Sequence, residues 1–155
     1  MTYHFITGKH SMLKAWKELR SSLESNLDDV SHLKLVTNFW SLAPLAKHVT
    51  DWDQPHLWED PWQLVYNGNF DESTIAIAMF YSLLLANDGR WSKNRLQLLL
   101  VKDQARALQR LILAVDDRWI LNLEHNRVID KSQVDLNLWI QRKYEYDGKH
   151  HNISA

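Results

Sequence analysis

The sequence predicts an α+β domain, with N-terminal helices and a central buried helix packed on an antiparallel sheet, and three stretches carry that prediction. Residues 12–40 place apolar side chains at helical spacing. Residues 75–86 are apolar on nearly every face, with Ser82 the only clearly polar side chain, as expected of a helix buried on all sides. From residue 96 onward, short apolar runs alternate with turn residues, the pattern of a strand meander. Helices first and strands afterwards favour a sheet with helices on one face. At 155 residues the chain fits one domain with a substantial core. That domain is assigned to residues 1–148, and residues 149–155, which include Lys149, His150 and His151, to a flexible tail.

Taken in order, residues 1–10 read as a loose arm. Ser11 is placed to cap a helix from Met12 to about Leu27, with Leu13, Trp16, Leu19, Leu23 and Leu27 along one face. Asp28-Asp29 interrupts it, and Ser31 is the expected cap of a second helix ending near Trp40, with Leu33, Val36, Phe39 and Trp40 buried. Residues 41–61 contain all three prolines, Pro44, Pro55 and Pro61, and read as a long structured loop. Asn67-Gly68-Asn69 makes a turn. The central helix follows from about Phe70, with Asp71 and Glu72 in its first turn, where carboxylates complement the helix N-terminus. Asn87-Asp88-Gly89 stops it near Ala86. Leu96 to Val101 is a strand. Leu111–Val115, Asp116-Asp117 and Arg118–Asn122 form a hairpin with a two-residue turn. Val128–Asp130 and Leu136–Ile140 are further strands.

A net charge of −1 gives no electrostatic footprint for nucleic acid or an anionic membrane. The chain has no cysteine, which excludes disulfides, thiolate metal sites and thiol catalysis together. The N-terminal stretch lacks the apolar segment of a secretory signal, so the expected location is the cytoplasm or a virion. Eight tryptophans are many for this length and leave some for a binding surface. Trp52, Trp58 and Trp62, in the acidic loop 51–62, are the candidates for contact with another protein or peptide. Trp52 is expected to be the most exposed and Trp62 the nearest to the core.

Gly68-Asn69-Phe70-Asp71-Glu72, followed by Ile75 and Ala76, resembles the nucleophile motif of bacterial transglutaminase-like cysteine proteinases, the group of the LapG-type periplasmic adhesin proteases. That motif reads Gly-Asp-Cys-Glu-Asp-Tyr-Ala-Ile-Ala, with the cysteine at the start of a buried helix. Lys34 to Trp40 is similar to the family's Lys-Leu-x-x-Val-Asn-x-Phe-Phe segment, and Leu57-Trp58-Glu59-Asp60-Pro61 to its Asp-Tyr-Trp-Ala-Thr-Pro loop. Trp62 to Val65 matches the short helix before the motif. Gln109 to Val115 resembles the strand Ala-His-Met-Val-Leu-Ala-Val, and Ile120-Leu121-Asn122-Leu123 the strand that carries the aspartate. The resemblance covers about residues 12–140 and implies a papain-like, transglutaminase-like fold.

It also implies that the chemistry is gone. Phe70 stands at the cysteine position, Arg110 at the histidine position and Asn122 at the aspartate position. Phe70 offers no lone pair, and a guanidinium does not give up its proton to serve as a base. In this arrangement Arg110 would lie on the ring of Phe70 and donate to Asn122, a structural plug. The function that follows is a catalytically inactive module for protein binding or structure. Two alternatives stand beside it: a hydrolase with a rebuilt active site, for which Ser73, Asp71 and His125 are the parts, and a structural subunit of a larger assembly such as a phage particle. Family members of the adhesin-protease type bind calcium through acids flanking the nucleophile, and Asn69 and Asp71 fall there, with Glu72 next. Asn69 replaces a charged ligand with a neutral one, and Asp71 and Glu72 read first as helix N-terminal charges. His48, Asp51, Asp53, His56, Glu59 and Asp60 crowd the loop without a metal-ligand spacing. No metal and no other cofactor is assigned.

Overall fold

The computed structural model describes residues 9–103, 107–134 and 138–154. Four helices, α1 (Lys9–Ser22), α2 (Asp29–Trp40), α3 (Pro61–Asn67) and α4 (Glu72–Leu84), precede six strands, β1 (Leu96–Asp103), β2 (Leu108–Val115), β3 (Trp119–Leu121), β4 (Val128–Asp130), β5 (Leu138–Tyr146) and β6 (His151–Ile153). The strands form one antiparallel sheet in the order β4-β3-β2-β1-β5-β6. The α+β class and the helix-on-sheet arrangement expected from the sequence both hold.

Every residue of α4 from Ser73 to Leu83 is buried. The helix packs against β1 and β2 on one side and against α1, α2 and α3 on the others. Leu98 and Leu100 of β1 and Leu111, Leu113 and Val115 of β2 meet it in the main core. The clearly polar side chain in its last turn is fully used. Ser82 Oγ accepts from the indoles of Trp16 and Trp40, each at 2.9 Å, and donates to Ala78 O at 2.7 Å.

Three boundaries differ from the expectation. Ser11 lies inside α1, which begins at Lys9 and ends at Ser22, so Leu23 is buried just beyond the helix. Asp28, with extended backbone, caps α2 by accepting from Ser31 N at 2.8 Å, and the expected cap Ser31 lies within the first turn. α4 begins at Glu72 rather than at about Phe70, so Asp71 is its cap and not part of its first turn. The hairpin β2–β3 turns at Asp116 and Asp117, both with positive φ, and Arg118 N donates to Val115 O at 3.0 Å. Two positive φ values suit the right-handed strand twist of a tight hairpin. The ladder then resumes one residue later, with Val115 opposite Trp119.

The expected tail is a strand. Asp147-Gly148 turns the chain back, with Gly148 at φ 99°, and β6 pairs with β5 through His151 opposite Tyr146. His151 is 2% exposed, its Nε2 3.0 Å from the Tyr81 hydroxyl and its ring among Trp58, Phe80 and Tyr146. Burial pushes the imidazole pKa down to about 4, so it is neutral at pH 7. The fifth expected strand runs to Tyr146, and the part of it at residues 136 and 137 lies outside the described residues.

Candidate functional site

The site is built around the start of α4. Gly68 closes α3 in the left-handed region, at φ 66°, with its N–H on Leu64 O at 3.2 Å. This reversal carries the chain directly into α4. Between the two helices Phe70 turns inward. It is 0% exposed and meets Trp40 edge-on at 5.3 Å, while its carbonyl accepts from Ala46 N at 2.7 Å.

Asp71 then fixes the helix start. Its carboxylate accepts from Thr74 N at 2.6 Å, Thr74 Oγ1 at 2.8 Å, Thr50 N at 2.7 Å and Thr50 Oγ1 at 2.8 Å. One side chain thus caps α4 and ties the loop 41–60 to it. Glu72, the next residue, receives two partners from the sheet. The Arg110 guanidinium donates to its Oε2 at 2.9 Å and to Leu123 O, and Asn122 Nδ2 donates to Glu72 O at 2.7 Å and to Leu111 O at 3.0 Å. Asn122 holds this position at φ 69°, a conformation that asparagine tolerates better than most residues.

Arg110 and Asn122 therefore converge on the residue two places after Phe70. The expected plug does not form. Neither a contact of Arg110 with the Phe70 ring nor a bond between Arg110 and Asn122 exists among the described residues. The physical reason is partner strength: a carboxylate and a carbonyl outcompete an aromatic face for a guanidinium, while Phe70 is drawn into the core by Trp40.

Arg110 and Asn122 line a concavity of about 320 Å³. Its walls come from Trp40 and Ser41 at the end of α2, Leu45 of the loop, Ile75 and Met79 of α4, and the connection between β3 and β4. Phe70 does not line it. His125 does, exposed in a turn. Ser73 is outside it: its hydroxyl accepts from the Trp52 indole at 2.9 Å. The parts considered for a rebuilt hydrolase are not brought together, since Asp71 is occupied as a cap and Ser73 is buried under Trp52.

The tryptophan expectations are reversed. Trp52 is half-buried, its indole on Ser73 and its carbonyl accepting from Arg142 and from the Tyr144 hydroxyl, both at 2.9 Å. Trp58 is half-buried too, its indole on Asp51 O at 2.9 Å and its ring 5.0 Å from Tyr144. Trp62, expected nearest the core, is 50% exposed, edge-on to Trp16 at 5.1 Å with the Arg20 guanidinium 4.9 Å from its ring. The loop rings pack down because acceptors wait for their N–H groups, which sequence alone does not reveal.

The acids of the loop are used locally. Asp60 caps α3 by accepting from Gln63 N at 2.9 Å, Asp51 accepts from Asp53 N at 2.9 Å, Asp53 pairs with Arg142 at 2.7 Å, and Glu59 accepts from Asn67. The weak calcium candidates divide likewise: Asp71 is a cap, Glu72 faces Arg110, and Asn69 is exposed before the helix. Among the described residues no group of three His, Asp or Glu side chains is placed to hold a metal ion. No helix among them is long and apolar enough to cross a membrane.

No protein-family model matches the chain, and no curated protein sequence matches it significantly. Solved structures do. LapG of Legionella pneumophila superposes with a TM-score of 0.72 at 16% identity, over 97% of this chain and 82% of LapG. The calcium-bound form of the same protein gives 0.71 at 14% identity, over 97% and 82%. The EGTA-treated form gives 0.70 at 16% identity, over 91% and 76%. The chain has a LapG-like, transglutaminase-like fold.

Proposed function

We propose that this chain is a non-catalytic member of the LapG-like fold that uses the cleft beside α4 to hold a segment of another protein. The observation that carries this reading is the state of the helix start. The position that resembles the family's nucleophile is a phenylalanine turned into the core, and the position that resembles its base is an arginine paired with Glu72. What remains is a cleft with an apolar floor, Ile75 and Met79, and a polar rim, Ser41, Asn122 and Asn126. Such a lining suits an extended peptide, whose main chain needs hydrogen-bond partners and whose side chains need apolar cover.

Two measurements test the reading. Incubation with fluorogenic peptides and with a LapG substrate is expected to give no cleavage above buffer. Cleavage that His125→Ala or Ser73→Ala abolishes would overturn the non-catalytic assignment. Binding is then read on a peptide array with the native chain and with Leu45→Arg, an exposed change at the cleft wall. Peptides that bind the native chain should lose at least tenfold in affinity. Equal binding by both proteins would place the interface away from the cleft.

A further inference from the structure

The face of the sheet turned away from α4 carries a second apolar surface that a peptide cleft does not use. In a two-layer domain that face is ordinarily polar, because the helices cover only one side. Here Leu99 and Val101 of β1, Ile112 and Ala114 of β2, Ile120 of β3 and Ile129 of β4 are all buried in a cluster separate from the main core. Val134, after the short turn at Lys131–Gln133, packs against it. Beside this cluster lies a groove of about 330 Å³, whose wall is completed by Trp139 and Ile140 of β5, 56% and 49% exposed.

The rim of the groove is charged, and unevenly. Lys131 Nζ lies 2.8 Å from Asp117, and Arg118 lies 3.7 Å from Asp130 with its guanidinium 4.4 Å from the ring of Trp119. The Lys131 ammonium foremost, and Lys143 from β5 besides, hold the Asp117 carboxyl below its ordinary range. Of these groups Arg118, Lys131 and Asp117 line the groove itself, two cations against one carboxylate. Both ion pairs are solvent-exposed, so they bind their partners weakly and exchange them readily.

We propose that this groove binds a small amphipathic anion, an alkyl carboxylate whose chain lies along Leu99, Ala114 and the exposed Ile140 under Trp139 and whose head group sits between Arg118 and Lys131. The volume is at the lower end of small-ligand pockets, roughly 300–1,000 Å³, which suits a single chain of medium length. Apolar floor and positive rim together select against alcohols and against cationic amphiphiles. Each additional methylene buried in the groove should tighten binding roughly fourfold.

The probes are hexanoate, octanoate and decanoate below their aggregation range, read by the NMR signals of the Trp119 and Trp139 indole N–H groups. Saturable shifts confined to those two indoles are expected, with affinity rising along the series and no response to decyltrimethylammonium. Charge reversal by Arg118→Glu with Lys131→Glu, both on exposed side chains, should weaken decanoate at least tenfold while the melting curve stays unchanged. Ala114→Leu, which fills the floor, should abolish binding. Should that variant fail to fold, the charge-reversed pair decides alone. Non-saturable binding, equal binding of the cationic probe, or decanoate affinity untouched by charge reversal would overturn the proposal. So would a concentration-dependent dimer in sedimentation that decanoate does not dissociate, since a second copy would then own the groove.

Discussion

The two ends of α4 are held by opposite means. At the N-terminal end, Asp71, Glu72, Arg110 and Asn122 meet through hydrogen bonds at the edge of an open cleft. Toward the C-terminal end, Phe80 and Tyr81 meet Tyr146 and His151 edge-on, and Ser82 serves two indoles in a closed interior. Polar atoms near water can exchange one partner for another at small cost, whereas a buried polar atom that loses its partner bears the full desolvation penalty. The chain has placed its replaceable contacts at the helix start, beside the cleft. Its irreplaceable ones lie where the fold needs rigidity.

Phe70 is the exception that tests this division, being an apolar anchor at the polar end. Phe70→Ala is expected to cost about 4 kcal/mol, the largest effect here, because a fully buried ring leaves a cavity against Trp40. For a domain of this size that lowers the melting temperature by about 10 °C. A loss under about 1 kcal/mol in chemical denaturation would mean that the polar contacts alone hold the helix start.

At the other end Ser82→Ala is expected to cost about 3 kcal/mol although it removes a single oxygen. A hydroxyl has two acceptor sites and one donor, and all three are taken. Its removal strands the N–H groups of Trp16 and Trp40 in the core. Ser82→Thr keeps the oxygen and serves as the control. If Ser82→Ala melts like the native chain, water reaches those indoles and the closed interior is wrong.

The same end should respond to pH. In the unfolded chain a histidine takes up its proton near pH 6.5, and in the folded chain His151 resists until about pH 4. Between those values the unfolded state binds more protons, so stability is complete above pH 6.5 and falls as pH falls. The loss between pH 7.5 and 5 is about 2 kcal/mol. His151→Phe should flatten this slope while α4 stays folded. An unchanged slope would assign the acid sensitivity to the other histidines.

Legibility followed the same division. The all-apolar run 75–86 announced a helix buried on every side, and Ser82 stood out within it, although nothing in the sequence named the indoles it serves. The positions at the cleft were found through ordered motifs, and Arg110 and Asn122 do meet at the helix start. Their partners differ from the expected plug, because the Glu72 carboxylate, a helix-terminal charge in the sequence, also competes for Arg110. The strand β6 was missed. Its three residues hold a single apolar side chain, Ile153, too few for an alternating pattern, and its pairing depends on His151 entering a ring of aromatics from distant segments. One local signal was available: Asp147-Gly148 after Tyr144-Glu145-Tyr146 is a hairpin turn sequence.

The smallest expected effect sharpens the comparison most. Arg110 occupies the position that resembles the family's histidine, and its bond to Glu72 looks structural, yet the Glu72 side chain is 59% exposed. Exposed pairs of this kind contribute about 1 kcal/mol or less, so Arg110→Ala should leave denaturation nearly unchanged. Its consequence should fall on the cleft instead. Without the guanidinium the Glu72 carboxylate is free at the rim, and the cleft becomes more negative and roomier. Affinity for acidic peptides should drop severalfold relative to basic ones on the same array, while the Asp71 cap keeps α4 in place. A destabilisation of about 3 kcal/mol instead would show that Arg110 holds the helix start as firmly as Ser82 holds its far end. The contrast between a replaceable end and a rigid one would then be lost.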